Sequence, residues 1–127
     1  MKKYLDCVST FHEKFKVSQN DSPTLIDEND FLLRHRLMSE ENQEYLEACA
    51  KDDLVEVADA LGDQLYILCG TILKHGLQHK IEEVFDEIQK SNLSKLDDNG
   101  NPIFRADGKI LKGTNYFEPN IKDILNV

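Results

Sequence analysis

Ser39-Glu40-Glu41-Asn42-Gln43-Glu44-Tyr45-Leu46-Glu47-Ala48-Cys49-Ala50-Lys51-Asp52-Asp53-Leu54-Val55-Glu56-Val57-Ala58-Asp59-Ala60-Leu61-Gly62-Asp63 is the stretch whose reading decides the fold. It joins the end of one helical pattern to the start of another across the short polar break Lys51-Asp52-Asp53. Helices connected so briefly are antiparallel neighbours. Upstream, the pattern begins near Asp30, with Asn29 or Asp30 as the N-cap and Leu33, Leu37 and Ala48 on one stripe. Downstream, Asp52 or Asp53 caps a helix running to about His75, where Gly76 ends it.

Carboxylates interrupt both patterns. With Leu33 as the origin and about 100° per residue, Glu44 falls at about 20° and Glu41 at about 80°, beside Leu37 and Ala48. A solvated charged face would lie opposite the apolar stripe, so a local rule is broken here, and such breaks tend to mark function. In the next helix Leu54, Ala58, Leu61, Leu65 and Ile72 form one stripe, while Glu56, Asp59 and Asp63 share the opposite side with Val55, Tyr66 and Ile67. A helix apolar nearly all round is expected to be buried on two sides, its acids included. Buried carboxylates cost several kcal/mol per uncompensated ion, and a divalent cation is the simplest compensation. Oxygen-only donors without His or Cys suit Mg²⁺, with Mn²⁺ as a substitute, rather than zinc. Asp63 is read two ways, as a helper at the metal or as the partner of a Lys or Arg.

The flanks complete the organisation. Residues 2–17 carry Leu5, Val8, Phe11 or His12, and Phe15 at helical spacing, followed by the turn-rich Ser18-Gln19-Asn20-Asp21-Ser22-Pro23. A fourth helix is expected from about Gln78 to Asn92. Beyond it, Asn99-Gly100 and Asp107-Gly108 are turn dipeptides, and Ile103-Phe104-Arg105 and Lys109-Ile110-Leu111 read as a small β-hairpin. Ile121 to Leu125 reads as a last helical turn. The expected fold is therefore all-α: one domain over 1–127, a four-helix core over about 2–95 and a short hairpin-like tail over about 96–127, completed by oligomerisation. A chain of 127 residues suits a single core.

Composition narrows the function. Fifteen basic against 24 acidic residues give a net charge of −9, which argues against nucleic acid and anionic membrane as partners. Three cysteines without CxxC spacing argue against a disulfide framework or a zinc site, and Cys7, Cys49 and Cys69 read as small buried hydrophobes. No stretch approaches a membrane span, and the N-terminus lacks a signal-peptide apolar core, so a reducing cytoplasm is the expected compartment. Arg34 and Arg36 read as helix-surface arginines. His35, His75 and His79 show no catalytic spacing, and His12 and Asn20 lie where the first helix and its loop line a pocket.

Glu40-Glu41-Asn42-Gln43-Glu44 followed by Glu56-Val57-Ala58-Asp59 resembles the EExxE…ExxD signature of the all-α nucleoside triphosphate pyrophosphohydrolases. That superfamily includes MazG, the dimeric dUTPases and phosphoribosyl-ATP pyrophosphohydrolase. Ala60-Leu61-Gly62-Asp63 extends the match, and Phe11-His12-Glu13-Lys14-Phe15, Ser91-Asn92-Leu93-Ser94-Lys95 and the tail from Arg105 to Phe117 resemble its MazG-like, phosphoribosyl-ATP-pyrophosphohydrolase-like branch. The resemblance implies hydrolysis of (d)NTPs to a nucleoside monophosphate and pyrophosphate, a nucleotide house-cleaning role, and a homodimer or homotetramer. It implies Glu41, Glu44, Glu56 and Asp59 as Mg²⁺ ligands and Glu40 as the group acting on the attacking water. Asn92 and Lys95 match positions near the phosphates, and Lys112 and Tyr116 are the tail's candidate contacts to phosphate and base. The competing reading is a non-enzymatic helical module, dimerising or binding nucleotide for regulation.

Overall fold

The computed structural model describes all 127 residues. Five helices follow in order: α1 (Lys2–Lys14), α2 (Glu28–Ala50), α3 (Leu54–Lys74), α4 (Ile81–Leu93) and α5 (Ile121–Leu125). The fold is all-α. None of its helices is long and apolar enough to cross a membrane. The chain forms two compact units, Met1–His79 and Lys80–Val127. The division falls before α4, so α4 groups with the tail and the first unit is built on three helices.

In the first unit α3 packs against both α1 and α2. α2 starts earlier than its sequence suggests, because the side chain of Asp27 already accepts from the Asp30 backbone N–H at 2.9 Å. Asp53 caps α3 in the same way, accepting from Glu56 N–H at 3.1 Å. α3 ends where Gly76 takes φ +66°, a conformation open to glycine. α1 stops at Lys14, short of the expected residue 17, and leaves through Lys16 at φ +58°.

The interior of this unit is partly cationic. Leu5, Val8, Ala48, Ala60, Cys69, Ile72 and Leu73 are buried, but so are His12, Arg34 and Lys74. Arg34 is therefore no surface arginine: its Nε donates to Thr71 Oγ1 at 3.1 Å and its Nη2 to the Ile67 carbonyl at 2.9 Å. Gly70 makes room for it, since a β-carbon there would lie 2.5 Å from Arg34 Nη2 and 3.2 Å from His12 Nε2. Lys74 Nζ donates to Ser18 Oγ at 2.8 Å and lies 3.5 Å from Asp30. These bonds supply the partners that buried charges need.

Two expectations about burial are corrected. Cys69 is buried, but Cys7 and Cys49 are exposed. The stripe of α3 that should bury it on a second side remains uncovered in the single chain, with Leu54 80%, Leu61 49% and Leu65 38% exposed.

In the second unit the tail folds back along α4. Ser91 Oγ donates to the Phe117 carbonyl at 2.8 Å, Phe117 N–H to Ser94 Oγ at 3.1 Å, and Asn120 N–H to Glu87 Oε1 at 3.1 Å. The expected hairpin is reduced to one isolated antiparallel bridge between Phe104 and Ile110, with no strand. The Asp107-Gly108 turn does form, with Arg105 N–H donating to the Lys109 carbonyl at 2.8 Å. Pro102 has no N–H to continue the ladder on one arm. On the other arm, Gly113 N–H is drawn instead to the Lys95 carbonyl at 2.9 Å.

Candidate metal centre

α2 and α3 meet at small buried residues, Ala48 and Ala60, and bring their carboxylates together there. One carboxylate oxygen from each of Glu41, Glu44 and Asp63 lies within 4.8 Å of the others. Asp63 thus converges on two carboxylates rather than on a Lys or Arg. Its spacing carried the signal, since it stands four residues after Asp59 and seven after Glu56, on one face.

Glu41 sits at the centre of the charge conflict. Its Oε2 is buried and has no hydrogen-bond partner. Its carboxyl pKa is pushed up to about 7, first by burial, then by a hydrogen bond and charge from Glu44 and by the charges of Asp63 and Asp59. A buried carboxylate oxygen without a donor, facing three more acids, requires a proton or a cation.

Glu56 and Asp59 lie beside this trio. With Glu44, Glu47, Ala48, Lys51 and Ala60 they line a cleft of about 280 Å³. Glu47 and Lys51 are thus part of the site's wall. The acids are less buried than the sequence suggests: Glu44, Glu56, Asp59 and Asp63 are exposed, and Glu41 is half-buried. The physical reason is the open cleft that Glu44, Glu56 and Asp59 line together. Glu40 is exposed and lies outside the trio.

The second unit gathers the other candidates. Lys95 Nζ donates to Asn92 Oδ1 at 3.0 Å. Lys112 Nζ stands 4.5 Å over the Tyr116 ring, and the bond from Gly113 to Lys95 ties the two pairs together. Tyr116 is half-buried.

The donor set fits a hard divalent cation. It is all oxygen, convergent and electrostatically strained without one. Fold and site together define a helical protein whose antiparallel α2–α3 pair carries a carboxylate cluster able to hold a metal ion.

The model of the family "Phosphoribosyl-ATP pyrophosphohydrolase" matches residues 8–92, and the chain belongs to that family. The match runs from the middle of α1 to nearly the end of α4, the whole acidic constellation included. The chain is also similar in structure to a candidate NTP pyrophosphohydrolase from Exiguobacterium sp. 255-15. That similarity has a TM-score of 0.51 at 25% identity, over 94% of this chain and 90% of the other. No curated protein sequence matches the chain.

Proposed function

We infer that this protein is a Mg²⁺-dependent nucleoside triphosphate pyrophosphohydrolase that cleaves (d)NTPs to the monophosphate and pyrophosphate. A house-cleaning role on the nucleotide pool goes with that activity. The observation that carries the reading is the donorless buried Oε2 of Glu41 within a convergent carboxylate cluster, in a chain of a pyrophosphohydrolase family.

Glu41, Glu44, Glu56 and Asp59 are the proposed ligands, and Asp63 joins them on the strength of its convergence. The ion, Mg²⁺ or in its place Mn²⁺, supplies charge neutralisation and Lewis acidity toward the polyphosphate. Glu40 is proposed to accept the proton of the attacking water at its carboxylate. Asn92, Lys95, Lys112 and Tyr116 are the proposed substrate contacts, Lys95 and Lys112 as cations toward phosphate.

The uncovered Leu54 and Leu61 of α3 favour association with a second copy, as a homodimer or homotetramer. Sedimentation of the protein and of Leu61→Glu tests this: a monomeric wild type would contradict it. The same leucines would serve a non-enzymatic dimerising module, which predicts no effect of Mg²⁺ and a non-hydrolysable nucleotide on the melting temperature. The hydrolase reading predicts a rise, because a ligand of the folded state stabilises it by mass action. Pyrophosphate release from a panel of (d)NTPs tests the reaction, and folded protein that turns over none of them would refute it.

A further inference from the structure

An apolar cavity of about 260 Å³ opens between α1 and α3, lined by Tyr4, Cys7 and Val8 on one side and Gly62, Leu65, Tyr66 and Cys69 on the other. Its position along α3 links it to the acids. With Asp59 as the origin and about 100° per residue, Tyr66 falls about 20° away, Gly62 about 60° away on the same side as Tyr66, and Asp63 about 40° to the other side. Tyr66 therefore shares the acid-bearing face, about 4.5 Å along the axis from Asp63 and about 10 Å from Asp59. Over such a distance a ribose separates a base from its phosphates. The Tyr66 ring is held in place: Phe11 meets it edge-on at 5.7 Å between centroids and is itself stacked on Phe15 at 4.3 Å. Tyr66 is still 41% exposed and Tyr4 50%, so both rings keep free surface. At Gly62 a β-carbon would have nothing within 4 Å, so the cavity is open at that position.

We propose that this cavity is the nucleobase subsite, with Tyr4 and Tyr66 as its stacking walls. The proposal rests on the hydrolase reading above and goes beyond it by assigning where the base sits. The lining is aromatic, aliphatic and thiol, so recognition is by stacking and apolar contact. Such a lining separates ligands differing by small groups only weakly, whereas hydrogen-bonding pockets separate them strongly. The enzyme is therefore expected to accept several bases, with kcat/KM differing among them by less than about 100-fold.

Gly62→Leu fills the cavity mouth and replaces glycine by a strong helix former, so it is expected to fold at least as well as the wild type. Tyr66→Ala removes one wall. Kinetics on the common dNTPs and on methyl triphosphate, which lacks a base, separate the subsite from the metal cluster. Both variants are expected to raise KM for every dNTP by roughly tenfold or more, while methyl triphosphate hydrolysis stays within about twofold. Unchanged KM for dNTPs, equal loss on both substrates, or a change of oligomeric mass in Gly62→Leu would each overturn the proposal, the last by making the cavity a chain–chain interface. If the wild type hydrolyses nothing, the hydrolase reading fails separately. Calorimetry with nucleoside 5′-monophosphates then still decides the cavity: wild-type binding lost in Gly62→Leu supports it, and equal binding or none rejects it.

Discussion

Replacing Glu41 by Gln is expected to make the metal-free protein more stable at neutral and alkaline pH. In the folded state the Glu41 carboxyl is raised from an ordinary 4.5 to about 7, chiefly by burial and then by Glu44, Asp63 and Asp59. A raised carboxyl pKa means that the folded state holds its proton more tightly than the unfolded state. The associated stability is fully present below about pH 4.5 and is lost as pH rises through 7. The full rise corresponds to at most about 3 kcal/mol. Solvent reaches the cluster through its exposed partners, and screening reduces the expected loss to about 1–2 kcal/mol. Gln keeps the shape and a donor toward Glu44 but cannot ionise. Urea unfolding followed by circular dichroism, in EDTA, should therefore give nearly equal stabilities at pH 4.5. At pH 8 the variant should be ahead by about 1–2 kcal/mol. Added Mg²⁺ should narrow the gap, because it compensates the wild-type carboxylate. A wild type at least as stable as Glu41→Gln at pH 8 in EDTA would refute the electrostatic argument for the site.

Other perturbations test the frame that holds the acids. His12 has its pKa lowered first by burial and then by the charges of Arg34 and Lys74, only partly offset by its bond with Gln19. Its contribution is present above about pH 6.5 and lost as pH falls through the lower folded value; in a Glu41→Gln background, acid unfolding should show a step that His12→Asn removes. Gly70→Ala should destabilise by about 1–2 kcal/mol despite the gain in helix propensity, because the new carbon meets the pinned Arg34 guanidinium. In an Arg34→Met background the same change should cost clearly less, and additive effects in the denaturation cycle would contradict the contact. Asp53→Ala should cost about 1 kcal/mol by removing the cap of α3; since the capped amide belongs to Glu56, Mg²⁺ affinity measured by calorimetry should fall with it.

The helical hairpin was legible because three independent cues agreed on it: the apolar period on both sides, the brevity of Lys51-Asp52-Asp53, and the cap at Asp53. Helix ends were less legible where several residues qualified, as at Asp27-Glu28-Asn29-Asp30, and the first able to reach an amide took the cap. Arg34 escaped sequence reasoning because nothing in its own neighbourhood signals burial. Its partners are Ile67 and Thr71, more than thirty residues away, and its space comes from Gly70. The tail's turns could be read from Asp107-Gly108 and Asn99-Gly100, but not its pairing. Whether two short arms extend a ladder depends on what else competes for their amides, and here Lys95 takes that of Gly113. The acids of α3 could be placed on one face, whereas their exposure could not, because it depends on whether the space between α2 and α3 closes or stays open as a cleft. Asp63 shows the same limit at the site: its spacing put it on the face, and only the packing of α2 on α3 brought it to Glu41 and Glu44.

The most direct test of the central claim is pyrophosphate release from a panel of (d)NTPs with and without Mg²⁺, run on the wild type and on Glu41→Gln. The carboxylate cluster predicts turnover of at least one triphosphate with Mg²⁺, none in EDTA, and none by a folded Glu41→Gln protein. Turnover in EDTA, or full activity in Glu41→Gln, would contradict a metal-dependent hydrolase centred on Glu41.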